Sequence, residues 1–402
     1  MTEKTNYTPD FPSQIIQEGQ VQILVPNLKA YNVTPSNYAP SKAPVFYNPK
    51  MEFNRDLSVL TLQTYQHKIN QNITICEPLT SQGIRGIRYA AEINNITNIL
   101  LSDISTKACQ LAQHNINLNQ LENKITLKHS DANHTLINNA SPKKRFNIID
   151  IDPFGTPTPY IDAAFRALKN KGLIATTATD LAPLCGVHTK ACLRKYAKPL
   201  RTEYCHETAI RLLCGSLATT AAKQDIGIQI LLSHSTDHYI RVYAQINYGA
   251  KKADDNIKAM GYIMHCFNCM HREITHQPFS DPTCQECGAK MDYTGPLWTN
   301  PINDPEFIQQ ILTQTQKTTL KSNTKITKLL TTLNTETPMP PTYYVIDKLS
   351  SKLKLPAPSN QTVIETLKKT GYQATPTHFN PRGIKTNAPT ITMHKILKEL
   401  TT

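Results

Sequence analysis

The stretch "FNIIDIDPFG" (146–155) ends an apolar run on an aspartate and follows it with proline, an aromatic ring and glycine. These residue types suit chemistry at an amine attached to an aromatic base. Such an amine is a poor nucleophile, because its lone pair is delocalised into the ring. A carboxylate that accepts its N–H localises the lone pair and takes up the proton as charge develops. The Phe154 ring offers a face for an extruded base, Pro153 fixes the turn, and Gly155 removes a side chain from the base's path. Only one of Asp150 and Asp152 is expected to face the site, and Asp152 is chosen because it comes last before the turn. The competing reading is an ordinary strand-end turn with a helix cap.

A second group of residues suits a nucleoside-bearing ligand. In "EPLTSQGIRGIRYAAE" (77–92), Gly83 and Gly86 allow backbone to approach a ligand at a helix N-terminus. Asp103 stands at the end of the next apolar run, placed to accept hydrogen bonds from ribose hydroxyls. It also suits a helix cap, since "SDIST" opens a helix. Arg85 and Arg88 add guanidinium groups that pair well with a carboxylate; contact with solvent or RNA is the alternative. Ribose hydroxyls at one end and a carboxylate at the other describe S-adenosylmethionine. Asp131, in "HSDANHTL" (129–136), lies where an adenine amine would be read, or caps the helix that follows; both are compatible. Asp180, in "TATDLAPLCG" (177–186), is a further candidate for orienting a base edge or touching RNA. His188 and His206 read as structural or RNA-contacting.

The third group is metallic. "CFNCMHREITHQPFSDPTCQECG" (266–288) carries two C-x-x-C pairs with fourteen residues between them. Cys266, Cys269, Cys284 and Cys287 therefore read as a four-cysteine Zn²⁺ site of ribbon or knuckle form. Four protein ligands leave no open position, so the metal is expected to be structural. The remaining cysteines lie mostly in apolar segments and read as reduced, buried thiols.

The elements that must position these groups alternate. Strands over 73–78, 98–104, 125–131, 146–152 and 172–180 are separated by helical stretches over about 84–93, 106–119, 132–140 and 158–170. That alternation predicts a parallel sheet with helices on both faces. "IGIQILLSHSTDHYIRVYAQI" (226–246) reads as a hairpin, hence an antiparallel edge. A mostly parallel sheet with one reversed strand next to the last is similar to that of class I methyltransferases. The fold class is therefore α/β, a Rossmann-like class I S-adenosylmethionine-dependent methyltransferase domain. An α+β C-terminal domain carrying the zinc site follows. An N-terminal arm plus the methyltransferase domain is assigned to 1–250. Polar "YGAKKADDNIK" (248–258) marks the boundary, and 251–402 form the second domain. In it are expected a long helical stretch over about 305–333, a proline hinge, and over 359–386 a helix capped by Ser359 or Asn360, a short strand and a loop. No internal repeat is visible.

The bulk numbers agree. The chain has 402 residues and a formal net charge of +13, which favours a polyanionic partner; a generally basic composition is the alternative. No apolar run is long enough to span a bilayer. "MTEKTNYTPDFPSQ" reads as a frayed arm without a leader pattern, which places the protein in the cytoplasm, away from membranes.

Taken together, the chain resembles the archaeal and eukaryotic tRNA (guanine-26 N2)-dimethyltransferases. The resemblance rests on "FYNPKMEFNRDLS" (46–58), "TSQGIRGIR" (80–88), "LSDIS" (101–105), "IDIDPFG" (149–155) and "TATDLAPLCGVHTKACLRKY" (177–196). "HET" (206–208) and "DHYIRVY" (237–243) add to it. The family implies transfer of one and then a second methyl from S-adenosylmethionine to N2 of a guanine in tRNA. It implies cofactor binding by Arg55, Arg85, Asp103, Asp131 and Ala132. Asp152 is implied at the target amine, with Phe46 and Phe154 near the base. It also implies a C-terminal domain for tRNA binding; zinc is expected to stabilise that domain, and the protein to act as a monomer. Two other readings of the motif are a methyltransferase for rRNA guanine N2 or DNA adenine N6, and a non-enzymatic zinc protein that binds RNA.

Overall fold

A computed structural model describes residues 8–31, 40–277 and 282–401. It begins with a hairpin, β1 (Ser13–Glu18) and β2 (Val21–Pro26), followed by α1 (Glu52–Ile69). Of the expected frayed arm, residues 1–7 lie outside the described part. The rest is built in: Phe11 is buried against Leu24, Val45, Ala108 and Leu111, and Ser13 opens a strand.

The alternating region runs β3 (Ile73–Glu77), α2 (Ile84–Glu92), β4 (Ile96–Asp103), α3 (Thr106–Leu118), β5 (Ile125–His129), α4 (Ala132–Ile137), β6 (Phe146–Ile151), α5 (Thr158–Ala167) and β7 (Leu168–Ala178). The last helix ends earlier than its sequence suggests. Strand begins at Leu168, so "LKN" is extended and not helical. After α6 (Leu181–Leu184), α7 (Thr189–Lys195) and α8 (Cys205–Ala222) come β8 (Ile226–Thr236) and β9 (Tyr239–Tyr248), paired antiparallel as expected of the hairpin.

These strands make one seven-stranded sheet in the order β5-β4-β3-β6-β7-β9-β8. β3 pairs in parallel with β4 and with β6, and β4 with β5. The chain leaves β3 toward one edge and returns on its other side at β6. In open α/β sheets ligands bind at such a switch point, at the carboxyl ends of the strands. Every residue of β6 is buried, as a strand covered on both faces requires.

The polar stretch read as the domain boundary contains Gly249, in the left-handed region at φ 135°, followed by α9 (Ala250–Lys258). β10 (Met260–His265), β11 (Arg272–Thr275) and β12 (Asp292–Trp298) form a three-stranded sheet in the order β11-β10-β12. The helical stretch expected over about 305–333 is made of two helices, α10 (Pro305–Thr315) and α11 (Asn323–Glu336). Neither proline nor glycine breaks it. The Asn323 side-chain amide donates to the carbonyls of Thr315 and Thr318 and takes over backbone acceptors at the end of α10. β13 (Tyr344–Val345), α12 (Ile346–Leu353), α13 (Asn360–Lys369), β14 (Ala374–Thr377), β15 (Asn380–Thr386) and α14 (Thr390–Glu399) complete the chain. Ser359 caps α13, its hydroxyl accepting from Thr362 N at 3.1 Å. The expected loop after β14 is β15, the middle strand of a sheet ordered β13-β15-β14.

The chain divides into two compact units. One comprises residues up to Asp152 with Ala163–Ala175 and Gln310–Thr327; the other comprises Pro153–Asp162, Thr176–Gln309 and Lys328–Thr402.

Candidate active site

In the first unit, the carboxyl ends of β3, β4 and β6 carry the residues singled out above. The turn after β3 is held on all sides. Thr80 N donates to Ser102 O, Ser81 N to Asp103 Oδ2 at 2.8 Å, and the Ser81 hydroxyl to the Phe46 carbonyl at 2.8 Å. Ser81 takes φ 52°, a left-handed conformation that costs a non-glycine residue about 1–3 kcal/mol. Three hydrogen bonds over-determine it. Gly83 also sits in the left-handed region, at φ 83°, where it opens α2. Gly86 has a different task from the ligand approach expected of it. A Cβ there would lie 2.4 Å from Leu101 Cδ2 and 2.9 Å from Glu77 Oε2, so its missing side chain lets α2 pack on β4.

Asp103 is fixed through both oxygens: Oδ2 accepts from Ser81 N and Oδ1 from Ser105 N at 2.9 Å. It is not the cap of α3. That role belongs to Ser105, whose hydroxyl accepts from Ala108 N. Ser130 N donates to the Asp103 carbonyl, which brings the β5 end alongside. Asp131 caps α4, accepting from His134 N at 3.0 Å, and Ala132 is buried behind it. Phe46 is half-buried.

The arginines are neither in solvent nor at a surface. Arg55 forks both oxygens of Glu18, each at 2.6 Å, and touches the Asn48 carbonyl. Arg88 is fully buried and paired with Glu18, Asp56 and Glu92 at 3.0, 2.7 and 2.8 Å. Glu18 sits on the hairpin, so β1 supplies the counter-charge that lets two arginines be buried beneath the site. Burial works against its ionisation, and Arg55 and Arg88 together hold its carboxyl below the ordinary value.

Arg85 is buried between two carboxylates, 2.5 Å from Asp152 and 3.7 Å from Asp150. It also donates to Asn54 Oδ1 at 2.8 Å and Ser58 Oγ at 2.9 Å. The expectation that only one of the two aspartates faces this region needs correcting. Two residues apart on a strand, they share a face. What separates them is depth: the Asp150 side chain is sealed and accepts from Tyr89 Oη at 2.6 Å, while that of Asp152 is 23% exposed. Asp152 is thus the carboxylate within a ligand's reach.

Sequence reasoning missed Glu77. It ends β3 with 3% exposure, accepting from Thr80 Oγ1 and Gly86 N. Burial pushes its carboxyl up to about 8, against the pull of Arg85. An acid closing a buried strand at the carboxyl edge was the available signal. Asn54 was missed too; its Nδ2 is buried and makes no hydrogen bond within the protein. An orphaned donor beside Arg85, with a carboxylate anchored at the end of β4, fits a ligand carrying ribose hydroxyls at one end and a carboxylate at the other.

The second unit contains the turn that follows Asp152. Phe154 is 68% exposed. Gly155 takes φ 77° and exchanges hydrogen bonds with Thr179, at 2.8 Å each way. Asp180 is committed within the protein: Tyr196 Oη donates to one oxygen at 3.0 Å and Lys195 Nζ to the other at 3.3 Å.

The four cysteines also meet in this unit. Their sulfurs all lie within 4.8 Å of one another, with Cys266–Cys287 and Cys269–Cys284 each at 3.5 Å. A tetrahedron with Zn–S bonds of about 2.3 Å has edges of roughly 3.8 Å, so the set fits zinc. Two similar loops build it. In each, the residue four after the first cysteine, Met270 or Gly288, donates its N–H to that cysteine's carbonyl and takes a positive φ.

A doubly wound sheet with a hairpin at its end, an acid closing β4 and Asp-Pro-Phe-Gly closing β6 together define a class I S-adenosylmethionine-dependent methyltransferase. The sequence model of the N2,N2-dimethylguanosine tRNA methyltransferase family matches residues 19–398, and the chain belongs to that family. It is 40% identical over 397 residues to the tRNA (guanine(26)-N(2))-dimethyltransferase of Methanobrevibacter smithii, covering 97% of this chain and 98% of the relative. It is 36% identical over 376 residues to the enzyme of that name from Pyrococcus abyssi, covering 90% and 94%. A solved structure of Trm1 from Pyrococcus horikoshii in complex with S-adenosyl-L-methionine is similar with a TM-score of 0.84. That match is 34% identical and covers 96% of this chain and 99% of the other.

Proposed function

We propose that the protein transfers one and then a second methyl group to N2 of guanine 26 in tRNA. S-adenosylmethionine, when bound, supplies an electrophilic methyl on a sulfonium. Asp103 accepts its ribose hydroxyls through the lone pairs that Ser81 and Ser105 leave open. Asp131 and the backbone of Ala132 meet the adenine. Arg85 and the free amide N–H of Asn54 serve the methionine end, and Arg55, held by Glu18, supports them from beneath. The observation that carries the reading is Asp152. It follows β6 at the switch point of the sheet, is partly exposed, and is braced by a buried guanidinium. As the amine's lone pair turns toward the methyl group, Asp152 accepts the N–H and balances the growing positive charge. Phe154 offers its exposed ring face to the base.

In the same reading, residues 251–402 form the tRNA-binding domain, and Cys266, Cys269, Cys284 and Cys287 hold a structural Zn²⁺ within it. The protein works as a cytoplasmic monomer. Among the described residues, no helix is long and apolar enough to cross a membrane. Incubation with unmodified tRNA and methyl-labelled S-adenosylmethionine, followed by nucleoside mass spectrometry, tests the reading. Label is expected in N2-methylguanosine first and N2,N2-dimethylguanosine later. Folded protein that labels neither overturns it.

A further inference from the structure

Outside the four-cysteine set, one other group of metal-binding side chains converges among the described residues. Cys185 directly follows α6, and Cys205 and His206 open α8. Their two sulfurs and an imidazole nitrogen all lie within 4.8 Å of one another. The chain is pressed together to achieve this. Gly186 takes φ 86°, and a Cβ there would stand 2.8 Å from Arg201 N and 3.0 Å from the Leu200 carbonyl carbon. The loop after Cys185 therefore runs directly against the segment leading into α8. Cys185 is 8% exposed, and Cys205 and His206 are half-buried. Both cysteines line a cavity of about 450 Å³ whose wall includes Arg201, Glu203, Phe267 and Lys348.

Two buried thiols alone would be ordinary packing. An imidazole in the same sphere, and an opening on one side, are not explained by packing. We propose that Cys185, Cys205 and His206 form a second metal site, a Cys₂His set for Zn²⁺ whose fourth position opens onto this cavity. Thiolate and imidazole donors in a tetrahedral set select zinc. A tetrahedron with zinc bonds of about 2.1–2.3 Å needs donor separations of roughly 3.6–3.8 Å, which lie inside the 4.8 Å that encloses these donors. Binding releases the two thiol protons to solvent. Zn²⁺ with two thiolates is then neutral, which suits a wall carrying Arg201 and Lys348. With three protein ligands the site is of the open kind, its fourth position held by water or an exchangeable donor. It ties the segment after β7 to the N-terminus of α8.

The full-length protein, purified without chelator from zinc-supplemented cells, is assayed for metal by plasma mass spectrometry. Two zinc ions per chain are expected, one after Cys185→Ser, one after Cys266→Ser, and none in the double variant. Since Cys185→Ser is at risk of failing to fold, a second measurement uses the unaltered protein. Iodoacetamide labelling of Cys185 and Cys205 is followed by peptide mass spectrometry with and without added ZnCl₂. At least tenfold slower labelling of both thiols with zinc supports the site, even where purification has stripped the ion. Equal labelling rates overturn it. So does a content of two zinc ions per chain that stays at two after Cys185→Ser, or a Cys185–Cys205 disulfide in the purified protein.

Discussion

Arg85 Nη2 lies 2.5 Å from Asp152 Oδ2, and the same guanidinium reaches Asp150 at 3.7 Å. One buried cation thus serves two strand-end carboxylates of unequal depth. The deeper one is occupied by Tyr89, so the guanidinium fixes the orientation of the shallower one without covering it. This brace lets a partly exposed side chain present an oxygen in a defined direction at the point where the sheet switches.

Asp152→Asn preserves the shape of that side chain and removes its charge. Methyl transfer in single-turnover assays is expected to fall about 10²–10⁴-fold, the usual contribution of a positioned acid–base group. Calorimetry is expected to find S-adenosylmethionine binding within a few-fold of the unaltered protein. Activity within about tenfold of normal rules out the role assigned to Asp152.

Replacing Arg85 acts on stability first. Arg85→Met leaves Asp150 and Asp152 without their cation, and Asn54 Oδ1 and Ser58 Oγ without its donors. Removing one partner of a buried ion pair costs on the order of 3–5 kcal/mol, read from urea unfolding curves. A loss under about 1 kcal/mol, the range of exposed pairs, shows that the guanidinium is dispensable to the fold.

How legible all this was depended on sequence distance. Asp152 stood out because a mostly apolar run ends on it, and the four cysteines stood out by spacing alone. Arg55, Arg85 and Arg88 were visible as charges, yet nothing local shows that they are buried. Their partners are remote: Glu18 lies on the N-terminal hairpin, seventy residues from Arg88. Ser81 was invisible for another reason. Its left-handed backbone comes from three tertiary hydrogen bonds and not from residue type. The break between α10 and α11 has no proline or glycine to mark it, only an asparagine amide that captures carbonyls.

Two equally buried glutamates make opposite demands on pH. Burial raises Glu77 from its ordinary 4.5 to about 8, while Glu207, despite its burial, is held at about 2 by Lys385 and Arg211. Glu77 contributes fully below pH 4.5, and its contribution is lost as pH rises toward 8, at up to about 1.4 kcal/mol per unit. That of Glu207 is present above 4.5 and lost as pH falls toward 2. Urea midpoints measured across pH are expected to lose their decline between 5 and 8 (roughly) in Glu77→Gln. In Glu207→Gln the acid arm is the one that flattens. A Glu77→Gln profile that matches the unaltered protein shows that Glu77 is not protonated in the folded state.

Cys266 is fully buried in a small cluster with Met264, Cys284 and Met291, so the metal it would hold ties that cluster together. Cys266→Ser is expected to lower stability by several kcal/mol, the scale on which structural zinc supports small folds. Methyl transfer per folded molecule, measured below the lowered melting point, is expected to stay within about tenfold, less than a positioned catalytic group supplies. A larger drop in folded protein assigns the zinc region a part in the reaction.

Phe154 offers the reverse separation. At 68% exposure its ring contributes little to the core, and the turn behind it is pinned through Gly155 and Thr179 without using the ring. Phe154→Ala is therefore expected to leave thermal unfolding nearly unchanged. A base stacked on an aromatic side chain gains about 1–3 kcal/mol, so kcat/KM for tRNA is expected to fall roughly 5- to 150-fold. The loss should be absent from S-adenosylmethionine affinity, because the ring is assigned to the base and not to the cofactor. A variant with normal kcat/KM removes Phe154 from the site. One that loses cofactor affinity instead moves it to the other ligand.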